Sequence, residues 1–288
     1  MGKHHTGIYQ LDEFLLGGLP SGICEVIGED ASGKSSFGLS VMREASLRGL
    51  PTSLIHTEGY PDKGYILRSG PSECMVSIPN SIEAAIEAAH LSLLNGCAVV
   101  VIDSLSAAET ICDINQFVGD RVPFAARKAI YHGMSVLRRE AVRRGSSLII
   151  INQLRTPVKD LVPKPCSAFE GTVNDLCAVR LKTVRETTRN EYGELAYIKV
   201  RFEIFKSLVS LPCEKAYGFL FNQIGFKRHF ELMRVLLSSN ILDQRGAFLI
   251  GPDNETLGPG FIGAADQIKN NFEHYWRIYN DRGQSSNQ

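Results

Sequence analysis

The sequence predicts an α/β fold with a mostly parallel central sheet, extended by antiparallel strands and followed by a small C-terminal α/β lobe. Three observations carry this. Strand-like apolar runs alternate with helix-period segments between Ile23 and Ile151. A glycine-rich loop joins the first of these strands to the first helix. Later, Tyr197 to Phe205 alternates apolar and charged residues, as an antiparallel strand with one wet face does. The expected division is a core over residues 1–225, the lobe over 226–280 and a polar tail over 281–288.

Taken in order, Leu19-Pro20-Ser21-Gly22 is a turn signal, and Ile23 to Ile27 reads as a buried strand. The glycine-rich loop follows, then a helix from about Lys34 to Leu47. Thr52 to Thr57 and Met75 to Ile78 read as strands, and Ile82 to Leu94 as a helix. Cys97 to Ile102 is a nearly pure apolar run, which predicts a strand covered on both faces. Phe124 to Arg144 predicts a long helix, with Ile130, Met134, Leu137 and Ala141 on one face. Leu148 to Ile151 is a further buried strand. Thr156 to Gly171 holds Pro157, Pro163 and Pro165 without a period, the pattern of a functional or mobile loop. Asn190 and Gly193 supply turn chemistry before the alternating strand. In that strand Ile198, Val200, Phe202 and Ile204 face one way; Lys199, Arg201 and Glu203 face the other.

Composition excludes several classes. The 288 residues are 44% hydrophobic and 22% charged, enough for a core that needs no disulfides. Lys and Arg total 31 against 31 Asp and Glu, so any polyanion site must come from local clustering. The seven cysteines form no C-x-x-C pair, which leaves no zinc or redox motif and suits a reducing compartment. No run reaches the ~18 apolar residues of a membrane span, and no signal-peptide core opens the chain. A cytoplasmic location without a membrane partner is expected.

Gly28-Glu29-Asp30-Ala31-Ser32-Gly33-Lys34-Ser35 fits G-x-x-x-x-G-K-[ST], placed between a strand and a helix as the motif requires. Its glycines let backbone N–H groups face phosphate oxygens, and the helix behind adds its positive end. Lys34 supplies a point charge for the β- and γ-phosphates, the Ser35 hydroxyl can ligate Mg²⁺, and Ser36 completes the set. ATP and Mg²⁺ are the expected ligands. Asp103 ends the run Val99-Val100-Val101-Ile102, where a carboxylate suits a Mg²⁺ contact made through water; a helix N-cap explains an Asp there as well. Glu58, after the strand Thr52 to Thr57, can orient an attacking water, although an exposed loop glutamate fits the local pattern equally.

Four segments, in order, resemble the bacterial RecA-type recombinase family. They are LLGGLPSGICEVIGEDASGKSS (15–36), VVVIDSLSA (99–107), GDRVPFAARKAIYHGMSVLR (119–138) and LIIINQLR (148–155). The resemblance implies a RecA-like P-loop ATPase core whose ATP hydrolysis is stimulated by DNA. It makes Glu58 the catalytic glutamate and Gln153 the γ-phosphate sensor, acting with Lys34. Asp62 falls where an Asp meets the adenine amino group, and Tyr65 where a Tyr stacks on the ring. Arg127 matches a DNA-contacting arginine, and Lys206 the first of two lysines that reach a neighbouring subunit's ATP.

The chain departs from the family at three points. It begins at roughly the core, so the N-terminal segment that docks on the next subunit is expected to be absent. The second lysine position reads Leu208, and the double glycine closing the second DNA loop is reduced to Gly171. The implied function is an ATP-dependent, single-stranded-DNA-binding recombinase of homologous recombination and DNA repair. Double-stranded DNA is a further expected partner, with a homo-oligomer or filament as the assembly. The departures suit the alternative, a non-filamentous RecA-like accessory ATPase that binds nucleotide and DNA or a repair partner.

Local basic charge adds to this. The loop after Gln153 carries Arg155, Lys159 and Lys164, with Phe169 as a stacking or wedge side chain; these and Arg127 are the expected DNA contacts. Arg138, Arg139, Arg143 and Arg144 lie farther down the long helix and read as a solvated face. His4 and His5 read as exposed and mobile near the chain end, and His56 as a strand-end residue beside the nucleotide site. No carboxylate or cysteine cluster accompanies them to make a metal site.

Overall fold

The structure is a computed structural model that describes residues 2–105, 124–155, 166–167, 174–186, 197–210 and 215–285. In chain order the first half contains β1 (Lys3–His4), α1 (Tyr9–Phe14), β2 (Leu19–Pro20), β3 (Gly22–Gly28), α2 (Lys34–Ser46), β4 (Thr52–His56), α3 (Lys63–Ser69), β5 (Met75–Ser77), α4 (Ile82–Leu94) and β6 (Val99–Asp103). The second half continues with α5 (Phe124–Arg144), β7 (Ser147–Arg155), β8 (Cys166–Ser167), β9 (Cys177–Glu186), β10 (Ile198–Ser207), β11 (Lys215–Phe221) and β12 (Gly225–Phe226). It closes with α6 (Arg228–Ser238), β13 (Asp243–Arg245), β14 (Phe248–Ile250), β15 (Thr256–Pro259), α7 (Gly260–Asn270) and α8 (Phe272–Ser285).

The main sheet runs β12-β11-β10-β9-β3-β7-β6-β4-β5, with β8 pairing β7 beside it. From β9 to β5 every neighbouring pair is parallel, and from β9 to β12 every pair is antiparallel. This is the mostly parallel sheet with an antiparallel extension. Parallel strands need both faces covered, and they are. On one face Cys24, Val26, Val101 and Ile151 pack against Phe37, Val41 and Met42 of α2. On the other, Ile23, Val100, Ile102 and Ile150 meet Ala85, Ala89 and Leu93 of α4 and Ile130, Met134, Leu137 and Ala141 of α5. Each such Leu, Ile or Met contributes about 1.5–3 kcal/mol by burial, so truncating one on α5 would loosen the support of β3 and β7.

The antiparallel extension obeys the alternation in its sequence. Val200, Phe202 and Ile204 of β10 are fully buried, whereas Arg201 and Lys199 lie on the other face with Glu186 and Glu203 as ionic partners. A third cluster joins Tyr9 of α1 and Phe219 and Phe221 of β11 to Phe230, Leu232 and Leu236 of α6 and to Leu249, Leu257, Ile268 and Tyr275 beyond. α8 continues to Ser285, into the stretch whose polarity suggests a tail.

The N-terminal histidines correct the sequence expectation. His4 is buried in the β1–β2 pair, its Nε2 3.0 Å from the carbonyl of Gly145. His5 sets Nδ1 3.1 Å from the carboxylate of buried Asp12. A two-residue strand with its partner far along the chain leaves no periodic signal, which is why these residues read as loose. Among the described residues no helix is long and apolar enough to cross a membrane, and no group of three metal-ligating side chains occurs.

Candidate nucleotide and nucleic-acid site

β3 lies between β7 and β9, both parallel to it, so its last residue emerges at the carboxyl edge of the sheet. There Gly28 stands in register with Gln153 on one side and Thr183 on the other. A Cβ at Gly28 would collide with the hydroxyls of Thr183 and Ser32, which are themselves bonded at 2.7 Å. The loop turns into α2 through Gly33, whose φ of 92° is the left-handed conformation glycine adopts without cost. As N-cap, Gly33 offers no side chain to the first-turn amides, which leaves those donors to an anion.

The charged groups converge on this edge. Lys34 is buried and donates from Nζ to the carbonyls of Gly28 at 3.0 Å and Glu29 at 2.6 Å. Burial lowers its pKa, against the upward pull of Asp30, Asp103, Glu58 and Glu29. Asp103, at the end of β6, is also buried; loss of water raises its pKa, opposed by a hydrogen bond with Ser35 and by Lys34, and Glu58 pushes it further up. A carboxylate and a hydroxyl in mutual contact, with a second carboxylate near, make an oxygen donor set that suits a hard divalent cation. Ser35 and Asp103 therefore fit Mg²⁺.

A chain of short bonds fixes the two acids relative to each other. The Thr57 amide donates to the carbonyl of Asp103 at 2.9 Å, and the Ser104 amide to Thr57 Oγ1 at 3.1 Å. Thr57 Oγ1 donates to the Ser104 carbonyl at 2.5 Å, and the peptide between Asp103 and Ser104 is cis. Ser104 Oγ then donates to Glu58 Oε1 at 2.6 Å. Thr57, Ser104 and Thr183 are positioning residues that sequence reasoning missed. Ser104 stands inside the VVVIDSLSA segment, and that was the available signal; Thr183 had none, because β9 carries no clean period.

Asp62 and Tyr65 sit together on α3. Asp62 is its N-cap, with Oδ1 accepting from the Tyr65 amide at 3.1 Å. The Tyr65 hydroxyl lies 2.5 Å from Ser36 Oγ, which ties α3 to the first turn of α2. Lys206 donates to the carbonyl of Asn174 at 2.6 Å, and Leu208 is 74% exposed.

One buried polar group lies beneath the loop, and sequence reasoning passed over it. Glu25, inside β3, accepts from Arg180 Nε of β9 at 2.5 Å and from Asn152 Nδ2 of β7 at 2.8 Å. Arg180 also donates to Asn174 Oδ1 at 2.8 Å. The network thus joins the residue before Gln153 to the residue that holds Lys206. A lone glutamate in an otherwise apolar strand was its visible trace.

The expected DNA contacts are less fully described. Arg127 is in the first turn of α5 and Arg155 ends β7, where it pairs with Cys166 of β8. Only their backbones are described, and Lys159, Lys164, Phe169 and Gly171 lie outside the described residues. Farther along α5, Arg143 and Arg144 both pair with Glu140, as on a solvated helix face.

The chain is similar to several known proteins. The solved structure of the RadB recombinase superposes with a TM-score of 0.56 at 18% identity, covering 75% of this chain and 95% of that one, a likeness of fold. The protein RecA of Azoarcus sp. strain BH72 is 28% identical over 272 residues, 92% of this chain and 79% of its own length. RecA of Xanthomonas axonopodis pv. citri strain 306 is 25% identical over 281 residues, 95% of this chain and 81% of its own. The RecA N-terminal domain model matches residues 2–225, which include the phosphate loop, both acids and Gln153, and on that match the chain belongs to the RecA family.

Proposed function

We propose that this chain is an ATP-dependent recombinase that binds single-stranded DNA in homologous recombination and DNA repair. One observation carries the reading most. The loop of residues 28–33, Lys34, Asp103, Glu58 and Gln153 meet at one sheet edge: Gln153 is in register with Gly28, and Ser104 holds Glu58 beside Asp103. Main-chain amides of the loop and Lys34 cradle the triphosphate, and Ser35 and Asp103 hold Mg²⁺, which neutralises phosphate charge when bound. Glu58 orients the attacking water. Asp62 and Tyr65 contact the adenine. Arg127, Arg155 and the segment beyond contact the DNA backbone, and the core and lobe meet near residue 225.

Assembly with further copies fits the opposite edge of the sheet. Among the described residues β5 is paired on one side only, and Met75, Val76 and Ile78 are exposed there. An apolar edge strand with unpaired amides is a template for another chain. Leu208, exposed and uncharged where the family carries a second lysine, favours the alternative of an accessory ATPase that forms no filament. ATP hydrolysis with and without single-stranded DNA, paired with electron microscopy, tests both. Stimulated hydrolysis on regular filaments supports the recombinase; hydrolysis without filaments supports the accessory protein; hydrolysis indifferent to DNA removes the recombinase.

A further inference from the structure

A second cavity, of about 230 Å³, lies away from the nucleotide edge, where α1, β10, β11 and α6 meet. Its lining includes Gln10, Lys199, Tyr217, Phe219, Glu231 and Arg234. Among the described residues, the outer edge of β11 has no neighbouring strand at Tyr217 and Phe219. Side chains take that place: Gln10 Oε1 accepts from the Tyr217 amide at 2.9 Å and Glu231 Oε1 from the Phe219 amide at 2.6 Å. Each acceptor leaves its other polar atom over. The Gln10 amide nitrogen and the second oxygen of Glu231, a residue only 2% exposed, have no hydrogen-bond partner among the described residues.

Two cations line the same space, both fixed on aromatic faces. The Arg234 guanidinium lies 5.0 Å from the Phe219 ring and 5.2 Å from that of Phe261, with no carboxylate at ion-pair distance among the described residues. The Lys199 ammonium lies 3.9 Å from the Tyr217 ring and 3.4 Å from Glu186. Stacking holds the Arg234 guanidinium in place without neutralising it, whereas Lys199 shares its charge with Glu186. A guanidinium, an ammonium, an amide N–H₂ and a carboxyl group around one small space can supply donors to several oxygens of one tetrahedral anion.

We propose that this cavity binds a phosphate group, held by Arg234, Lys199, Gln10 and Glu231. The space admits an inorganic phosphate or a terminal phosphate, and the site stands independently of the nucleotide reading. Burial pushes the Glu231 carboxyl up to about 8, opposed by its bond from the Phe219 amide and by Arg234 and Arg43. The acid is therefore a donor at neutral pH and becomes a buried, repelling anion above that value. The charged groups that act on it are Arg234 on its own helix and Arg43 on α2, while Lys199 of β10 lines the same cavity.

Titration calorimetry of the full chain with inorganic phosphate tests this, with the nucleotide site filled by a non-hydrolysable ATP analogue and Mg²⁺. Arg234→Ala and Lys199→Met should each weaken affinity by about tenfold, with the phosphate loop untouched in both. Affinity should fall between about pH 7 and pH 9, and Glu231→Gln, which can still donate and still accept from Phe219, should retain binding and lose that fall. A short oligonucleotide with and without a 5′-phosphate distinguishes a nucleic-acid end from free phosphate as the source. Absence of phosphate binding, or binding unchanged in both cation variants, overturns the proposal.

Discussion

The nucleotide edge and the junction between the N-terminal segment and α6 both bury charge, and they treat it differently. At the junction each acid has a close partner of its own. Asp12 accepts from the Thr6 amide at 2.9 Å and the Thr6 hydroxyl at 2.7 Å, and Glu44 meets Arg228 Nε at 2.7 Å and Arg43 at 3.9 Å. At the nucleotide edge the buried Asp103 has a hydroxyl, and Lys34 rests on two carbonyls of its own loop. Hydroxyl and carbonyl contacts at an open sheet edge exchange readily for phosphate and Mg²⁺; partners enclosed in a packed junction do not. Polar groups at the junction are locked to partners inside the fold, and those at the edge are open to exchange with a ligand.

That contrast breaks most directly at Lys34. Lys34→Ala should lower ATP turnover by at least about 100-fold while the melting temperature stays within a few degrees, measured on one preparation. Glu58→Gln should slow turnover by about 100-fold with ATP affinity within a few-fold, since the phosphate cradle is untouched. Retained turnover would return Glu58 to an ordinary loop residue.

The junction should answer in stability instead. Arg228→Ala strips the buried Glu44 carboxylate of its nearer partner and should cost about 3 kcal/mol in urea unfolding, with turnover per folded molecule little changed. pH sharpens the same point. Burial raises Asp12 to about 7 and Glu231 to about 8, so the folded chain keeps protons that the unfolded chain releases above the ordinary carboxyl values of 3.8 and 4.5. Stability should therefore fall by several kcal/mol as pH rises from about 4 to 8, and level off above. Glu231→Gln should remove the upper part of that decline. The smallest effect expected is at Arg127: its change to Ala should reduce the slope of log affinity against log salt for single-stranded DNA by about one.

Much of the fold was legible because its signals are local. The α4 and α5 spans read from helical spacing are the spans observed, Ile82–Leu94 and Phe124–Arg144, and the inward face of Ile130, Met134, Leu137 and Ala141 is fully buried. Strand β7 proved longer than its apolar core, reaching Arg155, because Asn152 and Gln153 are polar yet paired within the sheet. Strand β9 was not legible at all: Arg180 and Thr183 interrupt its apolar pattern, and each is buried only because a distant partner, Glu25 or Ser32, receives it. At the site, the phosphate loop announced itself by spacing, since its chemistry needs neighbours in sequence. The hydrogen bonds that aim Glu58 could not, because Thr57 and Ser104 meet only when β4 and β6 lie side by side.

ATP hydrolysis by the unmodified chain, with and without single-stranded DNA at low salt, tests the central claim most directly. The account predicts hydrolysis that needs Mg²⁺ and rises when the DNA is added. A chain that does not bind ATP with Mg²⁺, or that hydrolyses it at one rate whether or not DNA is present, would contradict it.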